Sequence, residues 1–211
     1  MRVWVGKIGA SQMVNFCQQQ HIIAIVDASH PYAKEVSQNA IKAAAVCNLP
    51  YIRYERPVAK TCVSSANVIE LASLDELLAG DYLEAQRVLL TLGYQALPRF
   101  QSWQECCVLF ARILPRIESL EVALASGFSA NRIIALRPPI TAQLERALWQ
   151  QWNVSVVVSK ASGSAGGEET KRMVAQELET TLIVIARPSI TYPQQTSNYA
   201  EILAFCRQYI F

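Results

Sequence analysis

Val154-Ser155-Val156-Val157-Val158-Ser159-Lys160-Ala161-Ser162-Gly163-Ser164-Ala165-Gly166-Gly167-Glu168-Glu169-Thr170-Lys171 reads as a strand, a turn of small residues and a helix start. The valine run is the most β-branched in the chain, as expected of a parallel strand buried on both faces. Ser162–Gly167 holds three glycines and two serines. Such a turn is costly to order unless its backbone must approach something closely; the other reading is a simple flexible turn. A strand feeding a glycine-rich turn into a helix N-terminus aims free N–H groups and the helix dipole at one point, which suits a phosphate. Glu168 and Glu169 stand where a Walker loop needs Gly-Lys, and the turn is not a GxGxxG fingerprint. These acids favour the dipole but compete with a bound anion unless they point outward.

The same strand–turn–helix unit recurs on either side. Upstream, His21–Val26 is an apolar run leading into Asp27-Ala28-Ser29-His30-Pro31-Tyr32. Ala33, Val36, Ala40, Ala44 and Cys47 then fall on one helical face. Tyr51–Tyr54, Asn67–Leu71, Arg87–Leu92 and Cys106–Leu114 read as strands, and Ser73 with Glu76 as a capping box. Ile117–Ala125 reads as a helix stopped by Ser126-Gly127, and Arg132–Leu136 as a strand. Pro139 suits a first helical turn, with Ile140, Leu144 and Leu148 following at four-residue spacing. Downstream, Val174 and Leu178 mark the inner face of the next helix, Thr181–Ala186 is a strand, and Ser197 caps a terminal helix. Strands alternating with helices predict an α/β fold with mainly parallel sheets. We expect two Rossmann-like lobes, residues 1–116 and 117–211, with a cleft between them; the alternative is one doubly wound domain.

Composition narrows the function. Of 211 residues, 52% are hydrophobic and 17% charged, enough apolar material for a substantial core, and the formal net charge is only +2. With no long basic tract, a dedicated nucleic-acid binder is disfavoured. The six cysteines show no metal-site spacing and Cys106-Cys107 are adjacent, so reduced thiols in a cytoplasmic protein are expected and no metal site. No apolar run reaches the ~18 residues that span a bilayer.

In parallel sheets ligands collect at the carboxyl ends of strands, which puts several loops in one expected crevice. His30 there donates to a substrate carboxylate or supplies a proton; otherwise it bonds within its own turn. Asp27 accepts from a ribose, orients His30, or makes an Asx turn. Ser29 and Tyr32 share that loop. Arg53, Arg56 and Lys60 form a basic cluster suited to a polycarboxylate, or are solvated surface charge. Tyr51 and Tyr54 are a flat wall for a planar ligand, or core. Thr91-Leu92-Gly93, Arg112-Ile113-Leu114-Pro115 and Arg187-Pro188 end further strands.

Taken in order, Val26-Asp27-Ala28-Ser29-His30-Pro31-Tyr32-Ala33, Tyr54-Glu55-Arg56-Pro57, Thr91-Leu92-Gly93, Arg112-Ile113-Leu114-Pro115, Ser159-Lys160-Ala161-Ser162-Gly163 with Gly166-Gly167 and Lys171, and Ile185-Ala186-Arg187-Pro188 resemble the precorrin-6A reductase family of cobalamin biosynthesis, including its cobalt-precorrin-6A branch. The resemblance covers nearly the whole chain. It implies NADPH-dependent reduction of one double bond of a corrin precursor, a tetrapyrrole rich in carboxylates. It implies cofactor contacts from Thr91, Gly93, Lys160, Ser162, Gly163, Gly166, Gly167 and Lys171. Substrate contacts then fall to Ser29, His30, Tyr32, Arg53, Arg56 and Arg112, with His30 and Asp27 as catalytic candidates. Lys160, Lys171 or Arg172 would read the cofactor's 2′-phosphate.

The chain departs from the family pattern at Ala161, where a polar or acidic residue is common, and at Tyr94, where an arginine often follows the glycine. It departs again at Ser126-Gly127-Phe128-Ser129, which lacks the proline of a Gly-Pro-Phe turn. Members usually open with a strand and a Gly-Gly-Thr turn, whereas this sequence opens at a segment matching a later strand. The expectation is therefore a chain without the first βαβ unit, through a truncated gene model or an internal start. Two other readings remain: a non-catalytic nucleotide- or tetrapyrrole-binding domain, and a tetrapyrrole methyltransferase, which the lack of an early adenosylmethionine turn disfavours.

Overall fold

Alternation along the buried strands explains the larger sheet. Val88 and Leu90 face one side and Leu89 the other; Leu109 and Ala111 oppose Phe110, Val156 and Val158 oppose Val157, and Ile183 and Ile185 oppose Leu182 and Val184. Successive side chains of a strand point to opposite faces, so a strand apolar at every position must be covered on both. The computed structural model describes residues 3–6, 8–57, 67–163 and 166–210. Within these, Val68–Leu71 (β3), Arg87–Leu90 (β4), Val108–Ile113 (β5), Ile133–Ala135 (β6), Val156–Lys160 (β7) and Thr181–Ile185 (β8) form a six-stranded sheet of order β3-β8-β7-β4-β5-β6. All of its pairings are parallel. Helices Leu74–Ala79 (α3), Ile117–Ala125 (α4), Ala142–Gln151 (α5) and Glu168–Glu177 (α6) connect these strands.

A second, three-stranded sheet joins Ile25–Asp27 (β1), Tyr51–Tyr54 (β2) and Gln195–Thr196 (β9) in the order β1-β2-β9, again parallel. It carries helices Ala10–Gln19 (α1), Lys34–Cys47 (α2) and Tyr199–Ile210 (α7). Ala40, Ala44 and Tyr51 form one small core, and Ile52, Ile202 and Phe205 another. The chain divides accordingly into two compact units, residues 1–57 with 188–211, and residues 58–187. The expected boundary at residue 116 is therefore corrected. Strands β5 and β6, on either side of it, are hydrogen-bonded neighbours with Ala111 opposite Ile133. The C-terminal residues return instead to the first sheet, because β9 pairs with β2.

Local readings at helix ends differ in instructive ways. Helix α5 begins after Pro139, with Thr141 Oγ1 accepting the Leu144 N–H at 3.3 Å as its cap. Its buried side chains are Glu145 and Trp149 rather than Leu144, which is exposed. In α2 the inner face holds Ser37 and Ala40, and Val36 is exposed. Asn198, not Ser197, caps α7: its Oδ1 accepts the Ala200 N–H at 2.9 Å. Ser73 caps α3 as expected, accepting the Glu76 N–H at 3.1 Å.

Candidate functional site

In the larger sheet the chain runs β4, β5, β6 toward one edge and then returns to place β7 on the other side of β4. The strand order reverses between β4 and β7, and such a reversal opens a crevice at the carboxyl ends of the two strands, where α/β proteins bind ligands. Two turns flank it. The first is Thr91-Leu92-Gly93, at the end of β4. Thr91 donates both its N–H (2.8 Å) and its hydroxyl (2.9 Å) to the Val158 carbonyl, so this side chain ties β4 to β7. Gly93 then turns with φ +84°, a conformation L side chains rarely adopt.

The second turn follows β7. Ser162 and Gly163 are buried, and Gly166 and Gly167 lead into α6. Gly166 N–H and Glu168 N–H both donate to the Gly163 carbonyl, at 3.0 and 3.3 Å. A Cβ on Gly166 would lie 1.9 Å from Ser162 Oγ, so only glycine fits that close approach. Ser164 and Ala165 lie outside the described residues. Glu169 is exposed, but Glu168 is buried and its Oε2 accepts the Gly163 N–H at 2.9 Å. Its other oxygen pairs with Arg172, which also reaches Glu70 at 2.7 Å.

Lys171 lies one turn into α6, only 3% exposed. Its Nζ donates to the carbonyls of Gly166 (3.1 Å) and Gly167 (3.4 Å). Burial, with Arg112 nearby, pulls its amine down to about 8, while Glu145 and Glu168 act in the opposite sense. Arg112, at the end of β5, pairs with Glu145 Oε2 at 2.6 Å, and the same oxygen accepts the Trp149 indole N–H at 3.0 Å. Three residues expected at the ligand thus have partners within the protein: Lys171 bonds to the turn, Arg172 to Glu168 and Glu70, and Arg112 to Glu145. Lys160 is half-buried, and burial lowers its amine. Arg187 Nε closes the edge of the turn on the Ala161 carbonyl at 2.8 Å.

In the smaller unit, the carboxyl ends of β1 and β2 hold a polar network centred on Asp27. Its Oδ1 accepts from Ser29 N–H (2.9 Å) and Arg53 Nη1 (2.9 Å); its Oδ2 accepts from Ser37 Oγ (2.6 Å) and Tyr51 OH (2.8 Å). Burial pushes the carboxyl up, but hydrogen bonds from Ser29, Ser37 and Tyr51 outweigh it and hold Asp27 below the ordinary carboxylate range. Burial beside that carboxylate raises the Tyr51 phenol. Both oxygens of Asp27 are thus engaged by Ser29, Ser37, Tyr51 and Arg53. The Asx-turn reading of Asp27 holds through its bond to Ser29 N–H. His30 is exposed and its Nδ1 accepts the Tyr32 N–H at 3.2 Å, a bond within its own turn.

Arg53 is fully buried. It donates to Asp27, to Ser29 Oγ (3.0 Å) and through Nε to Glu55 (3.0 Å), and its guanidinium lies 5.4 Å from the Tyr192 ring centre. Its Nη2 is buried with no hydrogen-bond partner among the described residues. Arg56 is half-buried after β2, and Lys60 of the expected cluster lies outside the described residues. Sequence reading did not mark Ser37 or Glu145, and read Glu168 only as an acid in the first turn of its helix. Each is an ordinary helical polar residue whose importance comes from a partner distant in the chain, or from a turn it folds back on. Among the described residues no cluster of His, Cys, Asp and Glu is arranged to hold a metal, and no helix is long and apolar enough to cross a membrane.

Parallel sheets with an order reversal and a glycine-shaped turn at a helix start make this a Rossmann-like α/β protein. The solved structure of CobK precorrin-6A reductase has the same fold, with a TM-score of 0.81 over 97% of this chain and 80% of that one at 23% identity. Sequence relatives are closer. The cobalt-precorrin-6A reductase of Synechocystis sp. is 42% identical over 210 residues, covering 100% of this chain and 80% of the relative. That of Priestia megaterium is 35% identical over 206 residues, covering 96% and 80%. The family described as precorrin-6x reductase CbiJ/CobK matches residues 1–207, and the chain belongs to it. It is an oxidoreductase.

Proposed function

We propose that this protein uses NADPH to reduce a ring double bond of precorrin-6A or cobalt-precorrin-6A, giving the 6B form on the route to cobalamin. The observation that carries the cofactor part is the pair of turns, Thr91–Gly93 and Ser162–Gly167, on either side of the β4/β7 order reversal. The substrate is taken from the cobalt-precorrin-6A reductase that is 42% identical over the whole chain.

The residues present suit a dinucleotide. Gly166 has no room for a Cβ, Gly93 and Gly167 have positive φ, and α6 starts at the turn with Lys160 beside it. In this reading Gly93, Lys160, Ser162, Gly163, Gly166 and Gly167 hold the cofactor, and Thr91 fixes the turn's frame. NADPH supplies the hydride. Because Glu168 takes the Gly163 N–H, a phosphate at the turn uses the donors further round it. The Nη2 of Arg53, without a partner among the described residues, and the side chain of Arg56 are assigned to substrate carboxylates, with Ser29 and Tyr32 beside them. Asp27 orients Arg53 and has no proton to move. His30 is the proton donor: with Nδ1 accepting from Tyr32, the neutral ring carries its hydrogen on Nε2.

Anaerobic incubation of the purified chain with each precursor and NADPH tests this. The expected result is loss of absorbance at about 340 nm matched by a product two hydrogens heavier. No oxidation of NADPH with either precursor would refute it.

A further inference from the structure

The amine of Lys171 is 3% exposed and points backwards, against the direction of its helix, to the Gly166 and Gly167 carbonyls at 3.1 and 3.4 Å. A cation near a helix N-terminus opposes the macrodipole, so its burial there calls for a reason. The trans peptide supplies one. When the Gly166 carbonyl is held inward, the N–H of the same peptide, on Gly167, faces the other way. Glu168 completes the arrangement by holding the Gly163 N–H at 2.9 Å and the Arg172 guanidinium at 2.9 Å. Two residues three positions apart on α6 thus hold both ends of the glycine turn. Behind them stand Arg112 from β5 and Glu145 from α5, paired at 2.6 Å.

We propose that Lys171 is a positioning residue for the cofactor: it shapes the backbone at Gly166 and Gly167 by drawing their two carbonyls inward, and NADPH affinity depends on it although its amine does not touch the cofactor. The inference rests on the turn being the NADPH site. The charged groups facing the amine are Arg112, Glu145 and Glu168, and its ionisation falls to about 8. A neutral amine is the weaker donor to a carbonyl, so the turn loosens as the pH rises through that value.

The test compares the full chain with Lys171→Met and Lys171→Arg, measuring NADPH dissociation constants by fluorescence titration from about pH 6.5 to about pH 9.5. Removing the side-chain donor from these two half-buried carbonyls is expected to weaken binding about tenfold at neutral pH in Lys171→Met. Wild-type affinity should fall above about pH 8, whereas Lys171→Arg, always charged, should bind comparably at neutral pH and show no such fall. Equal affinity of wild type and Lys171→Met, or the same pH profile in wild type and Lys171→Arg, overturns the proposal. A wild type that binds no NADPH at neutral pH overturns the functional reading instead. In that event amide hydrogen exchange of the ligand-free proteins decides. Faster exchange at residues 166–171 in Lys171→Met, with residues 108–113 unchanged, supports the positioning role, and unchanged exchange at both refutes it.

Discussion

Replacing Asp27 by asparagine isolates the charge in the buried network of the smaller unit. The carboxylate accepts four donors, two on each oxygen. In the amide, Ser37 and Tyr51 can turn their hydroxyls to accept from the new NH2, but Ser29 N–H and Arg53 Nη1 can only donate. The hydrogen bonds therefore largely survive, and what is lost is the counter-charge of a fully buried guanidinium. Arg53 retains Glu55, whose side chain is 25% exposed, as its remaining acid partner. Breaking a buried pair while leaving one charge in place costs about 3–5 kcal/mol; with Glu55 still present we expect the lower end, about 3 kcal/mol. Native-state hydrogen exchange at residues 25–27 and 51–54 reads this in the unit concerned. Arg53→Met in the Asp27→Asn background should recover about 2 kcal/mol relative to additivity. Because folding lowers the ionisation of Asp27, its stabilisation is complete above the unfolded value near about pH 4 and is lost as the pH falls through the folded value. The gap between wild type and Asp27→Asn should close in acid. A loss under about 1 kcal/mol at neutral pH, additive behaviour in the cycle, or a gap that persists in acid would refute the reasoning.

Three further outcomes are expected. Glu145→Gln leaves Arg112, whose side chain is 10% exposed, without its acid, and should lower the stability of the larger unit by about 3 kcal/mol in urea denaturation followed by tryptophan fluorescence; the Trp149 indole bond should persist through the amide oxygen. Gly166→Ala, whose methyl would overlap Ser162 Oγ at 1.9 Å, should weaken NADPH binding at least tenfold by calorimetry, whereas Gly166→Ala with Ser162→Gly should recover part of it. Lys171 titrates at about 8 in the fold and near about 10.4 when unfolded. Between these values the unfolded chain holds a proton that the folded chain lacks, so wild-type stability should rise with pH there while Lys171→Met stays level in thermal melts.

Periodicity and β-branching revealed the parallel α/β class, the strand cores and most helices, because burial on two faces leaves an unmistakable composition at Val156–Val158 or Leu182–Ile185. The ordered motifs also identified the family and the glycine turn at α6. Local pattern failed where the deciding partner is distant. Nothing in the two residues of β9 marks them as a strand; they become one only by pairing with β2, and that pairing moves the unit boundary away from residue 116. Glu145 looked like an ordinary helical charge, and Lys171 was expected at the cofactor. Only the packing of α5 and α6 beside β5 buries them together, and it leaves the Lys171 amine on the Gly166 and Gly167 carbonyls. Sequence by itself settled which segments must be covered by apolar neighbours, since that is a property of each segment. Tertiary structure alone decided which charges are buried against each other, because that depends on the dielectric surroundings and partners each receives once the chain has closed.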